Sequence, residues 1–304
     1  MRVVHSRKKV WDKDYAFEDA FTLLTWILSI IKWKEYGYQV VLYTDKETLT
    51  KIKEVGFDTL YDEINTSYLE DKNNIKDIDF WCFWAMPKIL SLKAECEKGY
   101  NSIVADTDVV PMNSLDHLFN NKPYDLITWS NKEFHELKSI YPDLDKLSLP
   151  KDYHLPYWFT GKARPLNTGV IYFKDNKQAL DYVREVIKIS KSNHNHKENT
   201  RTQTMCNAEQ RMIGEFAKHK SLYAGFIQPA NESLFNRYGF HLHGYKNKLT
   251  AERRLQFNVK FLKAIQEHKP TLFKKLKGQI KFEEEIKNID SNLDEVIELQ
   301  QYRL

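Results

Sequence analysis

The chain has 304 residues, 42% of them hydrophobic, which is enough to bury a sizeable core in one large domain or in a domain with an appendage. Lys and Arg number 46 against 42 Asp and Glu, a surplus too small to predict nucleic-acid binding. The three cysteines lack C-x-x-C spacing and cannot all pair within one chain. With no signal peptide visible, we expect free thiols and a cytoplasmic protein.

Strands and helices alternate over the first third of the chain. Apolar runs predict strands at 2–6, 39–43, 57–61 and 102–105, and the segments between them predict helices at 17–36, 46–54 and 86–98. Strands separated by helices form right-handed βαβ units. The sequence therefore predicts a Rossmann-like α/β fold, with a mixed, mainly parallel sheet flanked by helices.

The later elements are predicted with less regular spacing. Strands are expected at 126–129 and 169–173, and helices at 179–190 and 208–219. The aromatic-rich segment between the two strands is expected to be a long loop region that either lines a pocket or runs over the surface. A Lys/Glu/Leu pattern predicts two or three amphipathic helices as a C-terminal helical segment over 250–304, packed on the core or against a partner.

Two carboxylates follow a predicted strand. Asp106-Thr107-Asp108 comes directly after the apolar run 102–105, and side chains two residues apart on an extended segment point to the same side. Both carboxylates can therefore converge on one divalent cation, and oxygen ligands suit Mg²⁺ or Mn²⁺. Ligands of open α/β sheets bind at this edge of the sheet. The alternative is that Asp-Thr-Asp only caps a turn.

A second group of candidates lies in the segment 238–246. If this segment is extended, His241 and His243 lie on one face, and one imidazole could complete a metal site. Gly244 would allow close approach of the backbone to a ligand, and Lys246 would offer a point charge to a phosphate. The alternative is that the histidines are hydrogen-bonded structural residues.

Other nucleotide and hydrolase motifs are missing from the sequence. There is no G-x-x-x-x-G-K-[ST] loop and no G-x-G-x-x-G after the first strand, so neither a P-loop enzyme nor a standard dinucleotide binder is supported. A G-x-S-x-G elbow is also absent. A metal would then carry most of the contact with a phosphorylated ligand.

Taken in order, the motifs resemble those of the GT-A glycosyltransferases. The D-x-D string is accompanied by Leu-Tyr-Thr-Asp at 42–45, Pro-Lys-Ile-Leu at 87–90, Leu-Asn-Thr-Gly-Val-Ile at 166–171, Ala-Glu-Gln at 208–210 and a late His-Gly-x-Lys. The set is most similar to the metal-dependent families that include glycogenin and bacterial lipopolysaccharide sugar transferases. This resemblance covers residues 1–250 and implies a GT-A catalytic domain over 1–249. Its nucleotide-sugar-binding half is 1–111, and its acceptor and catalytic half is 112–249.

The resemblance implies a metal-dependent glycosyltransferase that moves a sugar from a nucleotide-diphosphate sugar, with a UDP-sugar favoured, to a glycan, lipid-linked saccharide or protein acceptor. Retention of configuration is favoured. The acceptor could bring the protein into peripheral contact with a membrane. In those families the late signature runs H-x-x-G-x-x-K-P-W. Here His241 has the matching spacing to Gly244, His243 adjoins it and no Pro-Trp follows, so we favour His243 as a metal ligand beside Asp106 and Asp108, with His241 as the alternate.

The remaining site predictions concern the donor and the chemistry. Pro87 suits the first turn of a helix, so Lys88 is expected near a helix N-terminus that favours an anion, unless it is a solvent-facing lysine. Glu209 is the candidate general base of an inverting reaction, or stabilises the positive sugar in a retaining one, unless it is only a first-turn helix acid. The predicted donor contacts are His5, Ser6, Asp45, Lys88, Asp106, Gly244 and Lys246, and the predicted catalytic residues are Asn167, Glu209 and Gln210.

Three other functions stay open at this point. A sugar nucleotidyltransferase shares the fold class and the metal carboxylates, although its Gly-rich basic loop is missing. A metal-dependent phosphohydrolase would turn over without an acceptor. A non-catalytic carbohydrate-binding protein could use the same scaffold, although it has no need of a metal and diphosphate site.

Overall fold

The structure is a computed structural model that describes residues 1–10, 15–120, 123–131, 140–192, 201–228, 235–236, 238–241, 249–279 and 282–289. Its strands are β1 Arg2–Arg7, β2 Gln39–Thr44, β3 Glu63–Asn65, β4 Ile103–Ala105, β5 Val109–Pro111, β6 Leu126–Ser130, β7 Asn167–Phe173, β8 Ala224–Gln228, β9 Phe235–Asn236 and β10 Gly239–His241. Its helices are α1 Tyr15–Glu18, α2 Ala20–Glu35, α3 Lys46–Val55, α4 Ser67–Glu70, α5 Lys72–Ile75, α6 Met86–Glu97, α7 Asp116–Phe119, α8 Asn176–Ile189, α9 Arg201–Cys206, α10 Met212–His219, α11 Ala251–His268, α12 Pro270–Lys277 and α13 Glu283–Ile289.

The main sheet has seven strands in the order β3-β2-β1-β4-β7-β6-β8. The pairs β1–β2, β1–β4, β2–β3 and β6–β8 are parallel, whereas β7 runs antiparallel to both of its neighbours. The sheet is thus mixed and mostly parallel, and the predicted α/β fold class is confirmed. Because β7 is reversed, its first residues lie at the edge where β1 and β4 end, with Ala105 paired to Val170.

A separate three-stranded antiparallel sheet, in the order β5-β10-β9, stands beside this edge. In its register His241 is paired with Val109 and Gly239 with Pro111. Because Val109 directly follows the Asp-Thr-Asp string, this pairing brings His241 to residues 106–108 across more than a hundred residues of chain.

Helices cover both faces of the main sheet. The buried residues of α2 and α11 belong to one apolar cluster, where the rings of Phe21 and Phe261 stack at 5.9 Å. The buried residues of α6, α8 and α10 form a second cluster on the other side. The C-terminal helices therefore bury apolar surface against α2, and the division of the chain at residue 249 stays a prediction. Among the described helices, none is both long enough and apolar enough to cross a bilayer.

Two of the predicted elements need correction. The predicted strand at 57–61 is wrong: Asp58–Leu60 forms a 3₁₀ turn, and the strand that pairs with β2 is Glu63–Asn65. The apolar residues at 57–61 face the core from a turn, while the strand itself is a short polar edge strand of the kind that hydropathy does not detect. The predicted helix 17–36 is interrupted at Asp19, whose carboxylate caps α2 by accepting from the Thr22 amide at 2.9 Å.

Candidate active site

The Asp-Thr-Asp string forms a turn at the carboxyl end of β4. The Val109 amide donates to the Asp106 carbonyl at 3.1 Å, and the Asp106 amide donates to the Gly169 carbonyl of β7 at 2.8 Å. The two carboxylates therefore converge because the backbone turns between them, and not because of the pleat of an extended strand. The predicted turn and the predicted convergence are both present in the structure.

Asp106, Asp108 and His241 form a cluster that could hold a metal ion. The Nε2 atom of His241 lies 3.6 Å from Oδ2 of Asp106 and 3.4 Å from Oδ1 of Asp108. Each residue offers one ligand atom, and these atoms lie within 4.8 Å of one another. Two carboxylate oxygens and one imidazole nitrogen suit Mn²⁺, and the carboxylates also suit Mg²⁺. The residues present therefore fit the predicted metal.

The favoured ligand His243 lies outside the described residues, as do Gly244 and Lys246. Among the described residues it is the alternate, His241, that meets the two aspartates.

The His241 ring is held in a narrow space. Its side chain is 2% exposed and packs edge-on against the Trp129 ring at a centroid distance of 5.7 Å. Beneath the ring lies Gly169 of β7, where a Cβ atom would approach Cε1 and Nδ1 of the imidazole to 2.4 Å. Only a glycine at this position leaves room for the ring beside the two aspartates.

The charged groups of the cluster shift one another's pKa values. Burial opposes protonation of His241, but the carboxylates of Asp108 and Asp106 outweigh it and raise the pKa of His241 to about 9. Burial also raises the pKa of Asp106, and Lys88 and His241 reverse this, so that the pKa of Asp106 lies below its usual range. Cationic groups therefore offset the negative charge of the Asp106 and Asp108 carboxylates. A bound metal cation would offset the same charge.

Lys88 is a buried cation beside the cluster and not a solvent-facing lysine. It lies in the first turn of α6, and its Nζ atom contacts Asp106 Oδ1 at 2.9 Å, Glu209 Oε1 at 2.6 Å and the Thr168 carbonyl oxygen at 2.8 Å. Burial disfavours its charge, but the two carboxylates raise the pKa of Lys88 above its usual value. Lys88 therefore links the metal-ligand side of the site to Glu209.

Glu209 and Gln210 lie on a π-helical turn, Asn207–Arg211, between α9 and α10. Such turns widen the helix and leave carbonyl groups to be bonded from outside. The Tyr182 hydroxyl donates to the Glu209 carbonyl at 3.3 Å, and the Leu166 amide donates to the Gln210 carbonyl at 3.0 Å. The Gln210 side-chain oxygen accepts from the Tyr141 hydroxyl at 2.6 Å. Burial raises the pKa of the Glu209 carboxyl, with Lys88 opposing this effect.

These groups surround one cavity of about 280 Å³. The cavity-lining residues include seven of the predicted site residues, namely Ser6, Lys88, Asp106, Asp108, Glu209, Gln210 and His241. Sequence reasoning missed other parts of the wall, which include Arg7, Lys8, Trp84 and Met205. The basic pair Arg7-Lys8 at the end of β1 carried a usable signal, because cations at the carboxyl end of a strand suit an anionic ligand.

Of the predicted site residues that the structure describes, three are not among those lining the cavity. His5 is buried in the core, where its ring nitrogens lie 3.2 Å from the Tyr61 hydroxyl and 3.3 Å from the Ser29 hydroxyl, and burial lowers the pKa of His5 to about 3. Asp45 caps α3 by accepting from the amides of Thr48 and Lys9 at 2.8 and 2.7 Å. Asn167 accepts from the Gly169 amide at 2.9 Å.

A mixed α/β sheet with an acidic cluster and a cavity at its carboxyl edge is the arrangement of enzymes that bind nucleotides. Residues 38–260 match the model of the nucleotide-diphospho-sugar transferase family, and the chain belongs to that family. Proteins of this family are transferases that use a nucleotide-sugar donor and an acceptor substrate. The comparison with curated proteins finds no match.

Proposed function

We propose that the protein is a metal-dependent glycosyltransferase that moves the sugar of a UDP-sugar to a glycan, lipid-linked saccharide or protein acceptor with retention of configuration. One observation carries the proposal. The cluster of Asp106, Asp108 and His241 opens into the same cavity as Glu209 and Gln210, in a chain whose family uses nucleotide-diphosphate sugars.

Transfer of the sugar leaves negative charge on the departing diphosphate and positive charge on the sugar carbon, so both charges must be stabilised. A bound Mn²⁺ or Mg²⁺ ion supplies a Lewis acid for the diphosphate oxygens. Asp106, Asp108 and His241 would hold that ion, with His243 as a further candidate. Gly244 and Lys246 stay proposed contacts of the diphosphate.

The two carboxylate oxygens of Asp106 have different neighbours. Oδ1 accepts from the Lys88 ammonium group, while Oδ2 is the atom that lies nearest to His241. Because the ammonium group fixes one oxygen, the other is held in place for the cluster. We propose that Lys88 positions Asp106 in this way, besides adding positive charge to the donor side of the cavity.

Glu209 and Gln210 line the same cavity and would face the transferred sugar. In a retaining reaction the Glu209 carboxylate stabilises the positive sugar carbon, and in an inverting one it accepts the acceptor's proton. We favour retention because of the motif resemblance. The anomeric proton coupling of the product, measured by NMR, distinguishes the two outcomes.

The test is a screen of nucleotide sugars with Mn²⁺ that follows release of the nucleoside diphosphate with and without saccharide acceptors. We expect acceptor-dependent release, which Asp108→Asn lowers by at least about 100-fold because it removes one charged metal ligand. Asp181→Asn is the matched control, since Asp181 pairs with Arg184 on the surface. Full turnover in Asp108→Asn would refute the site assignment.

The same screen separates the competing functions. A phosphohydrolase releases its product at the same rate with and without an acceptor. A nucleotidyltransferase requires a sugar phosphate and a nucleoside triphosphate, and releases pyrophosphate. A carbohydrate-binding protein shows no turnover with any donor.

A further inference from the structure

The aromatic segment Phe80–Trp84 lies between α5 and α6 and approaches the cavity at both ends. Trp81 is exposed, Phe80 and Trp84 are partly buried, and Phe83 is buried in the core. At one side the Lys8 ammonium group, which belongs to the cavity wall, lies 5.7 Å from the centre of the Phe80 ring. Further along, Trp84 lines the cavity. The two ends of the segment therefore lie beside the cavity: Phe80 near the end of β1, and Trp84 near the start of α6.

Trp81 is the most exposed of the tryptophans in the described part of the chain, with 55% of its surface accessible. An exposed indole offers a large, amphipathic ring surface to a ligand. Its neighbour Trp84 is partly buried against the core. Trp81 therefore presents an exposed aromatic ring three residues before Trp84, which lines the cavity.

The Trp81 ring is fixed in its exposed position. The amides of Trp81 and Cys82 both donate to Oδ1 of Asp79 at 3.1 Å. The Arg201 guanidinium lies over the indole at 4.3 Å, and its Nε atom donates to the Trp81 carbonyl oxygen at 2.6 Å. A ring held in this way loses little conformational freedom when it binds a ligand.

Arg201 connects Trp81 to the catalytic side of the cavity. It is the first residue of α9, and Met205, one helical turn later, lines the cavity together with Cys206. The π-helical turn that carries Glu209 follows directly. The chain therefore runs from Arg201, beside Trp81, along the cavity wall to Glu209 and Gln210.

We propose that Trp81, Trp84 and Arg201 form the binding site for a saccharide acceptor. This inference rests on the proposed function and specifies the acceptor class. A pyranose ring has one face of C–H groups, which are apolar and slightly positive and so complement the negative face of an indole. The Arg201 guanidinium adds donors for hydroxyl groups at the edge of the same ring.

The first test uses saturation-transfer NMR with methyl hexopyranosides and lactose as probes. Signal transfer to the C–H face of at least one saccharide is expected in the wild type and is lost in Trp81→Ala. Tyr157→Ala is the matched control, because Tyr157 is an aromatic residue of 89% exposure that is not among the cavity-lining residues. Absence of binding by every probe, or equal transfer in Trp81→Ala, overturns the proposal. This readout does not depend on turnover.

The second test uses steady-state kinetics with the donor and acceptor found in the nucleotide-sugar screen. We expect Trp81→Ala to raise the acceptor KM about tenfold and the donor KM much less, while Trp81→Phe keeps most of the affinity. A rise in the donor KM alone would place the nucleobase, and not the acceptor, on this ring and would overturn the inference. Failure of the wild type to turn over any donor contradicts the proposed function, whereas the NMR result still decides the saccharide site.

Discussion

The space beneath the His241 ring makes Gly169→Ala an informative substitution. Gly169 does not have a left-handed φ, so the obstacle to an alanine is steric: the added Cβ atom would lie 2.4 Å from two atoms of the imidazole and 3.1 Å from Oδ1 of Asn167. The ring cannot easily move away, because it is buried and packs against Trp129. Overpacking of this kind costs about 1–3 kcal/mol of the free energy of unfolding.

The displaced ring would also lose its place beside Asp106 and Asp108. We therefore expect Gly169→Ala to weaken Mn²⁺ binding by about 10–100-fold, the range seen when the support of a metal ligand is removed. The affinity is measured by electron paramagnetic resonance of free Mn²⁺, and the stability by urea denaturation.

Gly278→Ala is the control, because the only atom near an added Cβ atom at Gly278 is the Lys275 carbonyl oxygen at 3.6 Å. A double-mutant cycle with His241→Ala gives the sharper result. Once the ring is absent, Gly169→Ala should cost much less, because the tightest remaining contact is the one with Oδ1 of Asn167 at 3.1 Å, so the two effects should not be additive. Additive effects, or wild-type metal affinity in Gly169→Ala, would refute the proposed role of the glycine.

Three further predictions follow from buried charges. Lys88→Met should lower the free energy of unfolding by about 3–5 kcal/mol in urea denaturation, because it leaves Asp106 and Glu209 buried without their shared cation; an unchanged stability would contradict the bridging role. His5 keeps a pKa of about 3 in the folded protein against an ordinary 6.5, so the unfolded chain binds the extra proton between these pH values. The free energy of unfolding should therefore fall as the pH is lowered from 6.5 toward 3, by up to about 1.4 kcal/mol per pH unit more than in His5→Gln. Parallel plots of unfolding free energy against pH for the two proteins would argue against this. Glu209→Gln should lower the rate of sugar transfer while leaving Mn²⁺ affinity within about twofold of the wild type, whereas an equal loss of both would assign Glu209 to the metal.

The strands of the main sheet could be predicted from the sequence where both of their faces are buried. β2 and β4 carry apolar runs, as central parallel strands do, and β1 carries the buried apolar pair Val3–Val4. The edge strand β3, with Glu63 and Asn65, has no such signal, and the apolar residues before it suggested the wrong location. The reversed direction of β7 also has no signature in its own residues, because direction is set by its pairing with β4 and β6.

The chemistry of the site could be predicted more fully than its geometry. The two aspartates were identified from residue type and position alone. Alternation places His241 and His243 on one face, and from the sequence we favoured His243. The pairing of β10 with β5, which the sequence does not reveal, is what brings His241 to the aspartates. The burial of Lys88 was also not predictable, because its two carboxylate partners lie 18 and 121 positions away in the sequence.

The π-helical turn at Asn207–Arg211 has a consequence for how this site could be lost or engineered. Such a turn is equivalent to one inserted residue in an otherwise continuous α-helix, so deleting one residue would leave α9 and α10 in phase with their existing partners. The two adjacent side chains at 209 and 210, however, could no longer both face the cavity, since neighbours on a regular α-helix diverge by about 100°. A single-codon deletion is thus expected to give a folded protein with an incomplete cavity wall, a form in which ligand binding can be studied apart from turnover.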